Sequence, residues 1–113
     1  MNKYGAKRIT CNGIRHDSKA EQRRWYELQL MERAGEIRDL KRQVKHELIP
    51  AQRDSSGKLL ERAVCYISDF EYIDNRTGKC VVEDVKGMRT KEYIIKRKLM
   101  LWIYKIRITE VTM

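Results

Sequence analysis

Asp69, Asp84 and Lys86 are the residues whose types and spacing could do chemistry together. Asp84 and Lys86 stand two apart in Cys80-Val81-Val82-Glu83-Asp84-Val85-Lys86, a run with strand character, so their side chains leave the same face of a sheet. Asn75-Arg76-Thr77-Gly78 is a turn signal that folds this run back on the segment before it. A loop closed symmetrically about Arg76 and Thr77 sets Asp74 opposite Lys79 and Asp69 opposite Asp84. Directly opposed residues have Cβ atoms about 4.5 to 5.5 Å apart, and like charges so placed repel.

Two acids and an amine gathered in this way have two readings. In one, the carboxylates hold a hard cation such as Mg²⁺, which takes one or two of them and keeps other positions for water and a substrate phosphate. Such an ion polarises the scissile phosphate and lowers the pKa of a bound water, and Lys86 orients that water or stabilises the charge developing on phosphate. In the other, Lys86 only neutralises two surface acids. The setting favours the first, because Asp69 and Asp84 lie in the most apolar runs of the chain, where ionised pairs are costly.

The elements that must position these residues follow from local signals. Ser18 as N-cap, with Glu21 three residues on, makes a capping box that opens a helix running to about Ala34, with Gly35 as its stop. Glu21, Trp25 and Leu28 form the stripe facing the core, so a carboxylate leans inward at the first turn. Ile37 to Pro50 is irregular, and Gln43 to Ile49 within it reads as a strand ending before the proline. Asp54-Ser55-Ser56-Gly57 is a polar turn. Ala63 to Ile73 reads as one strand, rich in β-branched and aromatic residues. Thr90 caps a second helix from Lys91 to about Tyr104, with Ile95, Leu99 and Trp102 as its apolar stripe. Ile106 to Val111 is a last strand, and Asn12-Gly13 suggests a small β-ribbon within residues 1–17. The order, helix, three strands, helix, strand, implies an α/β (α+β) domain with a mixed sheet flanked by helices.

Composition bounds the rest. A chain of 113 residues suits one domain, 1–113, with one site. No apolar run approaches the ~18 to 20 residues needed to span a bilayer, and residues 1–10 are basic without an apolar core, unlike a secretory signal, so a cytoplasmic protein without membrane attachment is expected. Three cysteines without a C-x-x-C pair argue against a disulfide framework or a zinc ribbon and read as buried free thiols. The net charge of +9 favours polyanionic partners but does not choose among DNA, RNA and anionic lipid.

The arrangement of Asp69 followed by Asp84-Val85-Lys86 resembles the D...(D/E)-x-K signature of the PD-(D/E)XK nuclease superfamily, and the element order is similar to that superfamily's α-β-β-β-α-β, restriction-endonuclease-like core. A closer likeness is to a family of small phage and prophage proteins, often left as a domain of unknown function. It rests on Asn12-Gly13-Ile14, Asp17-Ser18-Lys19-Ala20-Glu21, Ala34-Gly35-Glu36-Ile37-Arg38-Asp39-Leu40, Ser68-Asp69-Phe70-Glu71-Tyr72 and Glu83-Asp84-Val85-Lys86-Gly87. The resemblance implies a metal-dependent DNA endonuclease using Mg²⁺ or Mn²⁺. Asp69, Asp84 and Glu21 would be metal ligands, and Lys86 would complete the catalytic set. It also implies branched DNA as substrate, in the manner of Holliday-junction resolvases, and a homodimer that cuts two strands symmetrically. Two departures stand out: Ser68 replaces the nominal proline, and Glu83 beside Asp84 leaves open which acid is catalytic.

Lys91, Lys98 and Lys105 recur every seven residues as a stripe able to meet phosphates, and Arg23, Arg24, Lys7 and Arg8 are further candidates for a DNA grip. Trp25, Trp102 and Tyr104 read as core residues rather than base-stacking platforms. The rival from another class is a non-catalytic nucleic-acid-binding protein using the same basic face.

Overall fold

The computed structural model describes residues 18–113. The anticipated N-terminal ribbon lies outside them, as do Lys7 and Arg8. Helix α1 (Lys19–Arg33) begins where the capping box places it, with Ser18 Oγ accepting from the Glu21 N–H at 3.0 Å. It ends in a reciprocal cap: Gly35 N–H donates to Glu32 O and Glu36 N–H to Met31 O, at 3.1 and 3.0 Å. Gly35 takes φ +79, a left-handed conformation that a side chain would strain.

Eight strands follow the chain: β1 (Ile37–Arg42), β2 (Lys45–Ile49), β3 (Gln52–Arg53), β4 (Leu59–Glu61), β5 (Val64–Ile67), β6 (Phe70–Asp74), β7 (Cys80–Val85) and, after helix α2 (Lys91–Tyr104), β8 (Thr109–Val111). Four of them make the central sheet in the order β1-β6-β7-β8, antiparallel except for the parallel pair β7 and β8. Two small antiparallel pairs, β2 with β5 and β3 with β4, are inserted between β1 and β6. The fold is thus a mixed α+β core whose principal sheet and helices run helix, three strands, helix, strand, but the expected first strand, Gln43 to Ile49, is β2 outside that sheet and β1 stands in its place.

Two strand expectations are corrected. Ile37–Arg42 is a strand in its own right, hidden from the alternation rule by a register shift between Arg38 and Lys41 and by Asp39 at φ 57. The expected single strand from Ala63 to Ile73 is two, broken at Ser68 and Asp69, because β5 pairs with β2 and β6 pairs with β1 and β7. Backbone bonds hold the break: Ser68 N–H donates to Val44 O at 2.9 Å and Gln43 N–H to Asp69 O at 3.0 Å.

The sheet separates two cores. On one face Leu28 of α1 packs with Ile37, Phe70 and Tyr72, joined by Trp25, Val81 and Val85. On the other, Tyr93 and Met100 of α2 pack with Leu48, Tyr66, Val82 and Ile108. Strand β7 serves both, because its alternate residues point to opposite faces. Helix α2 keeps its expected ends, with Thr90 Oγ1 accepting from the Tyr93 N–H at 3.1 Å, but not its expected stripe. Tyr93 and Met100 are buried whereas Ile95 and Trp102 are exposed by 59% and 74%. Tyr104 is also exposed, so of the three aromatic residues expected inside, only Trp25 packs on the core, stacked on Phe70 at 5.8 Å. Cys65 is buried and disulfide-bonded and Cys80 is an exposed free thiol, so neither is a buried free thiol.

Candidate active site

The hairpin of β6 and β7 has the expected register. Asp74 N–H donates to Lys79 O at 2.9 Å, and Ile73, Tyr72, Glu71 and Phe70 face Cys80, Val81, Val82 and Glu83. Gly78 closes the loop at φ +74. One step beyond Phe70 and Glu83, the ladder brings Asp69 to the level of Asp84. There Asp69 N–H donates to Glu83 O at 3.1 Å, and its own carboxylate Oδ2 accepts from the Val85 N–H at 2.6 Å. The acid is thereby fixed to the strand that carries Asp84 and Lys86.

Asp69 and Asp84 are both buried, at 2% and 0% exposure. Tyr66 Oη, reaching across from β5, donates to Asp84 Oδ2 at 2.6 Å. Lys86 Nζ lies 3.0 Å from Asp84 Oδ1 and 3.7 Å above the centre of the Tyr93 ring. The lysine contact is an ion pair without hydrogen-bond alignment, so Asp84 Oδ1 is a buried oxygen with no hydrogen-bond partner among the described residues. Lys86 N–H donates to Val111 O at 2.8 Å, which anchors the end of β7 on β8.

The ring beneath Lys86 is itself held. Tyr93 Oη donates to Glu110 Oε2 at 2.7 Å, and Glu110 also pairs with Arg89 at 2.6 Å and Arg97 at 2.9 Å. The Arg89 bond, aided by those from Tyr93 and Arg97, pulls the Glu110 carboxyl down to about 2 from the usual 4.5. Burial and the bond to Glu110 push the Tyr93 phenol well above its ordinary range, so it stays a neutral donor.

Glu83, next to Asp84, points to the opposite face and is closed off. Arg24 grips it with two bonds, Nε to Oε1 at 2.9 Å and Nη2 to Oε2 at 2.7 Å, and Tyr72 Oη donates to it as well. Of the two neighbouring acids, Asp84 is therefore the one that shares its surroundings with Lys86. Arg24, also bonded to Glu27, is a structural cation rather than a free contact for a phosphate. Arg23, Lys91 and Lys98 are exposed, while Lys105 caps α2 in a left-handed conformation and donates to Trp102 O at 2.9 Å.

Glu21 is buried at the first turn of α1, on the stripe that packs towards the Glu83 face. Among the described residues no group of three or more His, Cys, Asp or Glu side chains is gathered to hold a metal, so Glu21, Asp69 and Asp84 do not form a three-acid cluster. Two carboxylates suffice for Mg²⁺, and the buried Oδ1 of Asp84, which has an ion pair with Lys86 but no hydrogen bond, is an oxygen of the kind a hard cation takes.

Sequence reasoning missed Tyr66 and Tyr93, which hold Asp84 and Lys86. It also missed a second polar cluster beside Asp69, where Ser68 Oγ donates to Glu71 Oε2 at 3.0 Å and His46 Nε2 bonds the same oxygen. A tyrosine inside an apolar strand, where its hydroxyl must find a partner, was the available signal for Tyr66.

Residues 1–112 match the model of a family described as "Protein of unknown function (DUF1064)", and the chain belongs to that family. No curated protein matches it, and no solved structure does.

Proposed function

We propose that this family member is a metal-dependent DNA endonuclease of the PD-(D/E)XK kind, hydrolysing phosphodiester bonds, with branched DNA such as a four-way junction as its substrate. The observation that carries the reading is the end of the β6–β7 hairpin, where Asp69 and Asp84 are buried at one level and Lys86 sits on an Asp84 oxygen that lacks a hydrogen bond. Burying ionised groups is costly unless they are paired and hydrogen-bonded, and Asp84 Oδ1 has its ion pair without a hydrogen bond.

Asp69 and Asp84 would hold Mg²⁺ or Mn²⁺, which when bound polarises a phosphate and lowers the pKa of a water. The chain's own residues set the stage. Tyr66 occupies one oxygen of Asp84 and turns the other towards Lys86. The Val85 N–H holds Asp69 against β7. Lys86, steadied on the Tyr93 ring, offers a positive charge to the phosphate as its negative charge grows in the transition state. The chain's net charge of +9 favours a polyanion as partner, and two-fold pairing of protomers would supply two such sites for symmetric cuts. The reading places the protein in the cytoplasm with its DNA. No helix among the described residues is long and apolar enough to cross a membrane.

Incubating the purified protein with a labelled four-way junction and a linear duplex, in Mg²⁺ and in EDTA, tests the proposal. Junction cleavage in Mg²⁺ alone, abolished in Asp84→Ala with DNA affinity kept, is the expected outcome. Binding without cleavage by the wild type would assign the chain to non-catalytic nucleic-acid binding instead.

A further inference from the structure

Four exposed residues of α2, Lys91, Ile95, Lys98 and Trp102, fall on one line along the helix, and the exposed Lys105 follows at its left-handed C-cap. The spacing of four, three and four keeps the four helical residues on a single face. That face is turned away from the core, which α2 meets through Tyr93 and Met100. Trp102 at 74% exposure is a large apolar surface left in water between two lysines. Lys91 and Lys98 have no acidic partner among the described residues, since the one ion pair within α2 joins Glu92 to Lys96.

Lys98 also lines a shallow groove of about 460 Å³ with Arg97, Leu101, Arg107, Ile108 and Glu110. Cations along a groove beside an exposed indole are the combination that binds an unpaired strand, with phosphates on the cations and a base stacked on the ring. Duplex bases are stacked on each other and do not offer a free face. A second copy of the chain is a poorer occupant, because a two-fold pairing of this stripe would set lysines against lysines.

We infer that this face of α2 is a docking surface for single-stranded nucleic acid, with Trp102 stacking on an unpaired base and Lys98 and Lys105 flanking it on the backbone. The identity of the polyanion rests on the proposed nuclease function, and the surface deepens that function by naming an unpaired segment, such as the open centre of a junction, as what the enzyme grips.

Intrinsic fluorescence of the full chain is followed during titration with oligothymidylate and with duplex DNA, in EDTA so that cleavage plays no part. Trp102 emission is quenched by the single strand. Trp102→Ala weakens that binding about tenfold, Trp102→Tyr restores most of it, and the duplex is much less affected. Lys98→Glu weakens both and lowers the salt dependence. Unchanged oligothymidylate binding by Trp102→Ala overturns the inference. So does a change of that variant from dimer to monomer with DNA affinity intact, or a response to anionic phospholipid vesicles and none to oligonucleotide. Junction cleavage with no effect of Trp102→Ala removes this inference alone, whereas quenching without any cleavage removes only the nuclease.

Discussion

Glu83 and Asp84 are consecutive residues of one strand, buried to 1% and 0% exposure, yet they have opposite fates. On the α1 face, Glu83 is met by two bonds from Arg24 and one from Tyr72, so both its oxygens are engaged. The pairing raises the Arg24 guanidinium above its ordinary range, while burial and then the Glu83 bond raise the Tyr72 phenol. On the α2 face, Asp84 has one oxygen bonded by Tyr66 and the other beside an unaligned Lys86. The lesson is that burial alone does not mark a reactive acid. A carboxylate whose donors are complete is part of the scaffold, and one whose donors are incomplete can still take a ligand.

The contrast breaks most sharply by removing each cation. Arg24→Met leaves Glu83 buried without its partner and lowers unfolding free energy by about 3–5 kcal/mol, measured by urea denaturation. Lys86→Met costs less stability, because its contact with Asp84 is not an aligned hydrogen bond, and instead lowers junction cleavage about a hundredfold or more in single-turnover assays. Equal stability losses for the two variants, with cleavage untouched in both, would erase the distinction.

A smaller effect separates the two carboxylate oxygens of Asp84. Tyr66→Phe removes the donor to Oδ2 and leaves a second buried oxygen without a hydrogen bond, at a cost of about 1–3 kcal/mol in denaturation. The smallest concerns Glu110, which faces Asp84 across β7 and β8 and is closed like Glu83. Its folded pKa of about 2 lies below the usual 4.5, so its contribution to stability is present above pH 4.5 and is lost as pH falls towards 2. Melting temperature across that interval should fall less steeply in Glu110→Gln than in the wild type.

Local chemistry made part of this legible in advance. Ser18, Gly35 and Thr90 mark helix ends through hydrogen bonds made within a few residues, and the hairpin register follows from a loop closed by Gly78. Asp69, Asp84 and Lys86 could be placed at one end of that hairpin for the same reason. What escaped depends on distant partners. The run from Val64 to Asp74 has uninterrupted strand character, and only the separate pairing of β5 with β2 breaks it at Ser68. Helix α2 is apolar on more than one side, so periodicity alone did not choose Tyr93 and Met100 over Ile95 and Trp102. The choice was made by packing on Tyr66, Val82 and Ile108.

The break at Ser68 and Asp69 also separates what can vary from what cannot. Asp69 is pinned by Gln43, Glu83 and Val85, all on its own side of the β2–β5 ribbon. The β3–β4 tip lies beyond that ribbon, and its residues from Gln52 to Glu61 are exposed. Loops grafted or lengthened there would leave the acid where it stands, so the tip is where the chain can absorb change without disturbing Asp69.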